Sequence, residues 1–292
     1  MSTILRAENL VKKYGRNVVV KDACLSLEAG KIYGLLGPNG AGKTTIMKMM
    51  VNLLKADGGK IVCEDVKIKY LMDVPKFYEY MKVEEYLMFL LDINKDNNKK
   101  EKLDELLTIA NLVEHRSKKI RQLSRGLRQK LGIASVLVSD VDVLVLDEPV
   151  SALDPLGRKD VLDLIASLRG KIAVVFSSHI LEDIEKVCDH IILINKGKII
   201  LDDDCSVILK QDEEVLVRCE TREQTQLLKS VLENCEFSVS RANTICVKYE
   251  DLMKTQQEIL KQAKKLKVTV ELMEKKKLSL EEVFLEEVRK HG

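Results

Sequence analysis

The sequence contains no tryptophan and only four prolines, and its formal net charge is +2 because 48 Lys and Arg nearly balance 46 Asp and Glu. The chain therefore has no overall basic field of the kind that indicates a nucleic-acid partner. Its seven cysteines include no Cys-x-x-Cys pair and no metal-ligand spacing, so we expect small buried side chains in a reducing compartment. The N-terminal stretch carries Arg6 and Glu8 and does not have the form of a signal peptide.

Long apolar runs are also absent. The longest, such as residues 143–146 and 191–194, fall far short of the roughly 20 residues that span a bilayer. We therefore expect that the chain by itself crosses no membrane. Hydrophobic residues make up 46% and charged residues 32%, which is ordinary for a globular protein and excludes a disordered one.

Glycine is crowded between residues 34 and 42 and is absent between residues 197 and 292, so the tightly shaped loops lie in the first two thirds. Over residues 1–200, short apolar strands alternate with helices, which predicts βαβ units and a mainly parallel sheet. The strands are predicted at 4–10, 18–27, 31–36, 68–71, 143–147, 172–176 and 190–195. The helices are predicted at 43–53, 83–92, 99–111, 124–138, 156–168 and 180–187.

After Asp204 the pattern changes to the order β-α-β-β-α-β, which predicts a small two-layer α+β domain. Its strands are predicted at 213–219, 237–240, 243–248 and 268–273, and its helices at 222–233 and 251–266. A last helix is predicted from Ser279, which would cap it.

The strongest local signal is a glycine-rich loop that fits G-x-x-x-x-G-K-[ST], follows a predicted strand and enters a predicted helix. Its residues are Gly37, Pro38, Asn39, Gly40, Ala41, Gly42, Lys43 and Thr44. The glycines allow backbone N–H groups to converge on phosphate oxygens, and the helix N-terminus adds a partial positive charge. We expect Lys43 to reach the β- and γ-phosphates and the Thr44 hydroxyl to bind Mg²⁺.

A second signal is the apolar strand over residues 143–146, which ends in Asp147 and Glu148. Burying two acids at the end of a strand raises the free energy of the folded state unless they contact a cation or polar partners. We expect Asp147 to hold Mg²⁺ through water, and Glu148 to polarise an attacking water as general base. The alternative is a strand that ends in a solvated acidic turn.

A third and weaker signal is Ser124 two residues before Gly126 at a predicted helix start. The serine hydroxyl and the free backbone N–H groups offer a second site for an anion. The alternative is an ordinary capped basic helix.

The order of GPNGAGKTT, LSRGLRQK, VLVLDEP, SALDP and SSH is similar to that of the ATP-binding-cassette (ABC) ATPases, and most of all to the cytoplasmic subunits of bacterial exporters. The resemblance covers residues 1 to about 205, and the LSxG element is what other P-loop families lack. It implies that Tyr14 stacks on adenine and that Thr45 joins the phosphate-binding residues. It also implies these further roles: Ser124 and Gly126 contact the ATP of a partner protomer, Asp154 links the two sites, and His179 touches the γ-phosphate.

The sequence departs from the family pattern at two site positions. Asp73 stands where the family usually has Gln, and a carboxylate can ligate Mg²⁺ but cannot donate an amide hydrogen bond. We therefore expect Asp73 to join Thr44 and Asp147 as a metal ligand. Arg125 stands where Gly is common and adds a cation beside the phosphate-facing turn. The stretch 53–69 is also short for the family, so we expect a reduced β-rich arm.

Together these features predict an α/β P-loop NTPase nucleotide-binding domain over residues 1–205, with a helical subdomain at about 76–138, and a C-terminal α+β accessory domain over 206–292. The resemblance implies an ATPase that uses ATP and Mg²⁺ in a two-chain sandwich and drives export through a separate membrane permease. The chain would then lie at the cytoplasmic face of the cell membrane, with a second nucleotide-binding chain as partner and no nucleic acid.

Two alternatives remain open at this point. One is a soluble regulatory ABC ATPase that acts on nucleic acid or ribosomes, and the other is a nucleotide-binding scaffold that no longer hydrolyses ATP. For the transport hypothesis, the aromatic residues of the helical subdomain are the expected anchor for the membrane subunit, with core packing as the alternative. These residues are Phe77, Tyr78, Tyr80 and Tyr86.

Overall fold

The computed structural model describes residues 2–209, 214–232, 237–241, 243–276 and 280–290. The chain divides into two compact units: one runs up to Cys205 and includes the terminal stretch from Phe284, and the other is Ser206–Val283. The predicted accessory domain over 206–292 differs from this division at its end, since the residues from Phe284 onward group with the first unit.

Up to residue 204, the first unit contains nine strands and six α-helices. In chain order these are β1 (Thr3–Tyr14), β2 (Asn17–Glu28), β3 (Ile32–Leu36), α1 (Lys43–Met50), β4 (Gly58–Val62), β5 (Ile68–Leu71), α2 (Val83–Ile93), α3 (Lys99–Ile109), α4 (Arg125–Val136), β6 (Val143–Leu146), α5 (Pro155–Ala166), β7 (Ala173–Ser178), α6 (Leu181–Val187), β8 (His190–Asn195) and β9 (Lys198–Asp204). The predicted helices end within about one turn of the observed ends.

The central sheet has six strands in the order β5-β6-β7-β3-β8-β9, and all neighbours are parallel except β8 and β9. Every residue of β3, β6 and β7 is buried, as expected for strands covered on both faces. Because β3, β6 and β7 run in the same direction, their carboxyl ends lie at one edge of the sheet, where ligands bind in open α/β folds. The predicted α/β fold class is confirmed.

Strands β1 and β2 form a separate antiparallel sheet with β4, in the order β2-β1-β4. The sequence prediction missed β4, since its segment GGKIV begins with two glycines and has no buried residue. It also missed β9, whose segment KIILDDD ends in three acids.

The second unit has the predicted order β-α-β-β-α-β. A short helix α7 (Cys205–Ile208) precedes β10 (Glu214–Cys219), α8 (Arg222–Val231), β11 (Phe237–Arg241), β12 (Thr244–Lys248), α9 (Leu252–Leu266) and β13 (Val270–Lys275). The four strands form an antiparallel sheet in the order β11-β12-β10-β13. Its buried core includes Val215, Val217, Leu228, Ile245 and Ile259.

Caps explain where the helices of this unit begin: Thr221 and Asp251 accept hydrogen bonds from the first-turn amides of α8 and α9. The last helix is α10 (Leu280–Lys290), and its predicted cap Ser279 lies outside the described residues. Within the described ranges, no helix has both the length and the apolar character needed to span a bilayer.

The expectation of buried cysteines is only partly correct. Cys188, Cys205, Cys219 and Cys246 are buried, whereas Cys24 and Cys63 are exposed. Cys24 lies on β2 between two buried residues, and the alternation of a strand therefore points its side chain outward. Cys235 lies outside the described residues.

Candidate nucleotide-binding site

The glycine-rich loop connects β3 to α1 and surrounds a cavity of about 370 Å³. Gly37 has φ 153° and Gly42 has φ 113°, conformations that side chains rarely adopt. A Cβ atom on Gly37 would lie 2.3 Å from the Ile194 carbonyl oxygen, so this position also lacks space for a side chain. The cavity brings together three predicted segments, and its lining residues are Val19, Pro38, Asn39, Gly40, Ala41, Gly42, Lys43, Thr44, Thr45, Glu148, Ser151 and His179.

Lys43 is only 6% exposed, and its ammonium group is held by the loop itself. Its Nζ donates to the carbonyl oxygen of Gly37 at 2.7 Å and lies 3.8 Å from Oε1 of Glu148. Burial lowers the pKa of Lys43, and the charges of Glu148 and Asp147 partly oppose this effect. A cation is thus positioned where phosphate oxygens would enter the loop.

Asp147 is buried and accepts hydrogen bonds from three hydroxyl groups. Thr44 Oγ1 and Ser177 Oγ each donate to Oδ1 at 3.1 Å, and the phenol of Tyr70 donates to Oδ2 at 2.9 Å. The predicted pair Thr44 and Asp147 is therefore in contact. Sequence reasoning missed Ser177 and Tyr70. They lie on β7 and β5, the strands that flank β6, and this strand order is not part of any linear motif.

Glu148 has a left-handed backbone, with φ 47°, which is uncommon for a residue other than Gly, Asn or Asp. Its N–H donates to Ser177 Oγ at 2.8 Å, and this bond fixes the turn at the end of β6. Its Oε2 lies 2.9 Å from Nδ1 of His179, which follows β7 and is half-exposed. Strained backbone of this kind is frequent at functional sites.

Three further predicted residues lie away from these contacts. Tyr14 ends β1 with 53% of its surface exposed, five positions before Val19, which lines the cavity. Ser124 is the exposed N-cap of α4, where its Oγ accepts from the Leu127 N–H at 3.3 Å. Gly126 is buried in the first turn of the same helix.

The start of α4 touches the start of α5 through glycine. A Cβ atom on Gly126 would lie 3.3 Å from the Cα of Gly157, and one on Gly157 would lie 2.8 Å from Oδ1 of Asp154. Asp154 is the N-cap of α5, and Pro155 at the first helical position favours this helix start. The turn Ser124–Gly126, called the signature turn below, is therefore packed closely against the backbone at the start of α5.

The two departures from the family pattern face each other. Nη2 of Arg125 lies 3.6 Å from Oδ1 of Asp73, which is an ion-pair distance too long for a hydrogen bond. Both side chains are about half-exposed, so this pair contributes little to stability. The structure thus gives Asp73 a cationic partner from the signature turn, and its role as a metal ligand stays a prediction.

The residues present fit a magnesium ion that arrives with a nucleotide. Thr44 and Asp147 supply hard oxygen donors side by side. In the described part of the chain, no group of three His, Cys, Asp or Glu side chains could hold a metal by itself. Mg²⁺ typically takes one or two protein carboxylates and completes its shell with waters and substrate phosphates, which matches this donor set.

A glycine-rich loop that joins a buried parallel strand to a helix, with a hydroxyl next to a buried aspartate, defines the class of P-loop nucleoside triphosphatases. Comparison with known proteins narrows the class. The family model described as ABC transporter matches residues 20–151. YcbN of Bacillus subtilis, an ABC transporter ATP-binding protein, is 33% identical, over 98% of this chain and 97% of its own length.

Two further matches agree with this assignment. BcrA of Bacillus licheniformis, the bacitracin transport ATP-binding protein, is 36% identical, over 68% of this chain and 69% of its own. The solved structure of CbiO1 from Clostridium perfringens, part of the ABC transporter complex CbiONQ, has a TM-score of 0.66 and 23% identity. The structural match covers 71% of this chain and 91% of the CbiO1 chain, and it shows that the two share a fold.

The chain belongs to the family of ABC transporter ATP-binding proteins, and it is an ATPase. The resemblance of the sequence to the ABC ATPases is confirmed.

Proposed function

We propose that this chain pairs with a second nucleotide-binding chain around ATP and Mg²⁺, and that hydrolysis in this sandwich drives export through a separate membrane permease. Membership in the family supports the ATPase and transport parts of this proposal. The name of BcrA as a bacitracin transport protein supports a transported cargo. The direction of export follows from the resemblance of the sequence motifs to the subunits of bacterial exporters.

The observation that carries the catalytic part is the arrangement around Glu148. Its two carboxylate oxygens lie 2.9 Å from the His179 ring and 3.8 Å from the Lys43 ammonium, at the wall of the phosphate-loop cavity. A carboxylate in this place can accept a proton from a water that attacks the γ-phosphate. His179 would orient this carboxylate and contact the γ-phosphate.

The phosphate-binding part rests on the loop over residues 37–45. Its backbone N–H groups and the N-terminus of α1 would hold the phosphates, and Lys43 would leave its loop carbonyl partners to bind phosphate oxygens. Thr44 and Asp147 would hold Mg²⁺, which neutralises negative charge on the phosphates.

The position of the signature turn supports the two-chain arrangement. The cavity is lined by the loop, by Glu148 and Ser151, and by His179, whereas Ser124 and Gly126 lie at the start of α4. The sequence has one phosphate loop and one signature turn, so a complete site would use the loop of one chain and the Ser124–Gly126 turn of the other.

An exposed aromatic cluster supports a permease partner. Tyr78, Tyr80 and Phe89 are 52%, 72% and 39% exposed, and their rings contact one another through Tyr78. Tyr86, which the sequence also placed in this anchor, is buried, and Phe77 packs edge-on against it. We therefore propose that the permease docks on the exposed cluster. In this arrangement the chain would lie at the cytoplasmic face of the membrane, and the segment after residue 205 would be an accessory domain.

The change Glu148→Gln tests the catalytic proposal. It keeps the shape of the side chain but removes the base, so we expect hydrolysis to fall by about 10²–10⁴-fold while ATP binding persists. With ATP and Mg²⁺, the variant should accumulate as a dimer in size-exclusion chromatography. Glu182→Gln is the matched control, because Glu182 lies on the nearby α6 with its side chain 79% exposed. A Glu148→Gln protein that stays monomeric and hydrolyses ATP at the parent rate would defeat this assignment.

A further inference from the structure

The carboxylate of Asp147 is held from both sides. Thr44 and Ser177 both donate to Oδ1, whereas the described hydrogen bond to Oδ2 comes from Tyr70 at 2.9 Å. The terminal torsion of an aspartate is broad, so hydrogen bonds decide how the carboxylate is turned. The phenol of Tyr70 thus holds one oxygen of the carboxylate, while the other is turned toward Thr44 and Ser177.

The sheet places this phenol with little freedom. Tyr70 pairs in register with Val145 across the parallel strands β5 and β6, two residues before Asp147. The Asp147 N–H also donates to the Leu71 carbonyl oxygen at 2.9 Å, so the backbone and the side chain of β5 both fix the aspartate. The ring of Tyr70 packs against the hydrophobic core, and its rotation is therefore restricted.

We propose that Tyr70 is a positioning residue for the magnesium-binding carboxylate of Asp147. This inference rests on the proposed magnesium site and goes beyond it, because it names a residue outside every motif of the sequence. Thr44 and Asp147 would hold Mg²⁺, and Tyr70 and Ser177 would keep the carboxylate in place for it. Hydrogen bonds to a ligating carboxylate typically contribute about 10–100-fold to metal affinity or activity.

The electrostatics of the phenol agree with a permanent donor. Burial raises the pKa of Tyr70, and the negative charge of Asp147 raises it further. The hydroxyl therefore keeps its proton throughout the physiological pH range and can always donate to Asp147.

Tyr70→Phe tests the proposal, since it removes the hydroxyl and keeps the ring in the core. The affinity for a non-hydrolysable ATP analogue is measured by calorimetry at increasing Mg²⁺, and again in EDTA. We expect the Mg²⁺ concentration for half-maximal tightening to rise about 10-fold or more. The metal-free affinity should change less than about twofold, because Tyr70 does not line the phosphate-loop cavity.

Tyr33→Phe is the matched control. Tyr33 lies on β3 of the same sheet, and its phenol oxygen accepts from the Glu28 N–H at 2.7 Å. This variant also loses one buried phenol hydrogen bond, so it should unfold at a lower temperature but keep the parent Mg²⁺ dependence. If Tyr70→Phe behaves like Tyr33→Phe, the phenol of Tyr70 is only structural and the proposal is overturned.

Asp147→Asn separates this failure from a failure of the proposed function. If Asp147→Asn alters the Mg²⁺ dependence and Tyr70→Phe does not, the metal site is correct and the role of Tyr70 is wrong. If neither variant alters it, the magnesium site itself is misplaced.

Discussion

At the scale of single residues, Tyr14 ends β1 as an exposed ring, and the Nζ of Lys12 lies 5.8 Å from the ring centroid. This is a cation–π distance, and an aromatic face of this kind can also stack on a flat ligand. Tyr14 pairs with Asn17 of β2, two residues before Val19, which lines the phosphate-loop cavity. This position supports the proposed contact to adenine.

Because the chain has no tryptophan, Tyr14→Trp introduces a single indole fluorophore. Stacking of adenine on this ring should quench its emission, so we expect ATP to lower the fluorescence. The ATP concentration at half-maximal quenching should equal that at half-maximal ATP binding, which is measured independently by calorimetry. Tyr80→Trp, at a position that is 72% exposed in the helical subdomain, is the control and should not respond. Quenching of both variants, or of neither, would remove Tyr14 from the adenine site.

The site residues that could be predicted from the sequence are those within continuous motifs. Lys43 and Thr44 follow a glycine pattern, and Asp147 and Glu148 end an apolar strand, so local spacing identifies their chemistry. Tyr70 is different, because its neighbours in sequence are ordinary strand residues. Its contact with Asp147 arises only from the order of strands in the sheet, which a linear pattern does not contain.

At the scale of secondary-structure elements, a histidine of β8 lies between two aspartates of β9 and contacts both. His190 Nδ1 lies 2.8 Å from Oδ1 of Asp204, and Nε2 lies 2.7 Å from Oδ1 of Asp202. Burial alone lowers the pKa of His190, but the hydrogen bonds to the two acids outweigh it and raise the pKa above its ordinary value of 6.5. The charged imidazolium is therefore stabilised in the folded state.

A folded-state pKa above 6.5 means that this stabilisation is fully present below pH 6.5 and is lost as the pH rises through the folded-state pKa. We expect His190→Gln to lower the free energy of unfolding by about 1 kcal/mol at low pH, or the melting temperature by about 2–4 °C. This difference should shrink as the pH rises. Thermal unfolding between pH 5.5 and 9 measures it.

His115→Gln is the control with the opposite sign. Burial and the nearby Lys118 lower the pKa of His115, so its contribution is present at high pH and is lost as the pH falls. If both variants show the same pH trend, the carboxylate contacts of His190 do not control the stability of the β8–β9 pair.

At the scale of the whole molecule, the exposed cluster of Tyr78, Tyr80 and Phe89 is the surface on which the transport proposal depends. Exposed aromatic groups at the centre of an interface commonly provide much of its binding energy. We expect Tyr80→Ser to reduce co-purification of the permease from detergent-solubilised membranes by about tenfold or more. The ATPase rate of the isolated chain should not change.

Leu260→Ser is the control for this experiment, because Leu260 is 53% exposed but lies on α9 of the second unit. RNA or ribosomes in the purified sample, with equal recovery of parent and variant, would instead favour a soluble regulatory ATPase. Both outcomes, loss of the permease or co-purification of RNA or ribosomes, identify the partner of the chain and do not affect its assignment as an ATPase.

The division of the molecule into units could be predicted at one point and not at another. The change of element pattern after Asp204 indicates a new unit, and the structure begins the second unit at Ser206. The grouping of the residues from Phe284 onward with the first unit is not marked by any local sequence pattern, since it falls within a single amphipathic helix.

The contact between Gly126 and Gly157 has a mechanical consequence. A side chain between two segments can absorb a displacement by changing its rotamer, whereas backbone atoms in van der Waals contact have no such slack. A displacement of the start of α4 toward α5 therefore meets backbone atoms of Gly157, with no side chain between them that could change its rotamer. We therefore expect the Ser124–Gly126 turn and the first turn of α5 to shift together, with little room for independent motion.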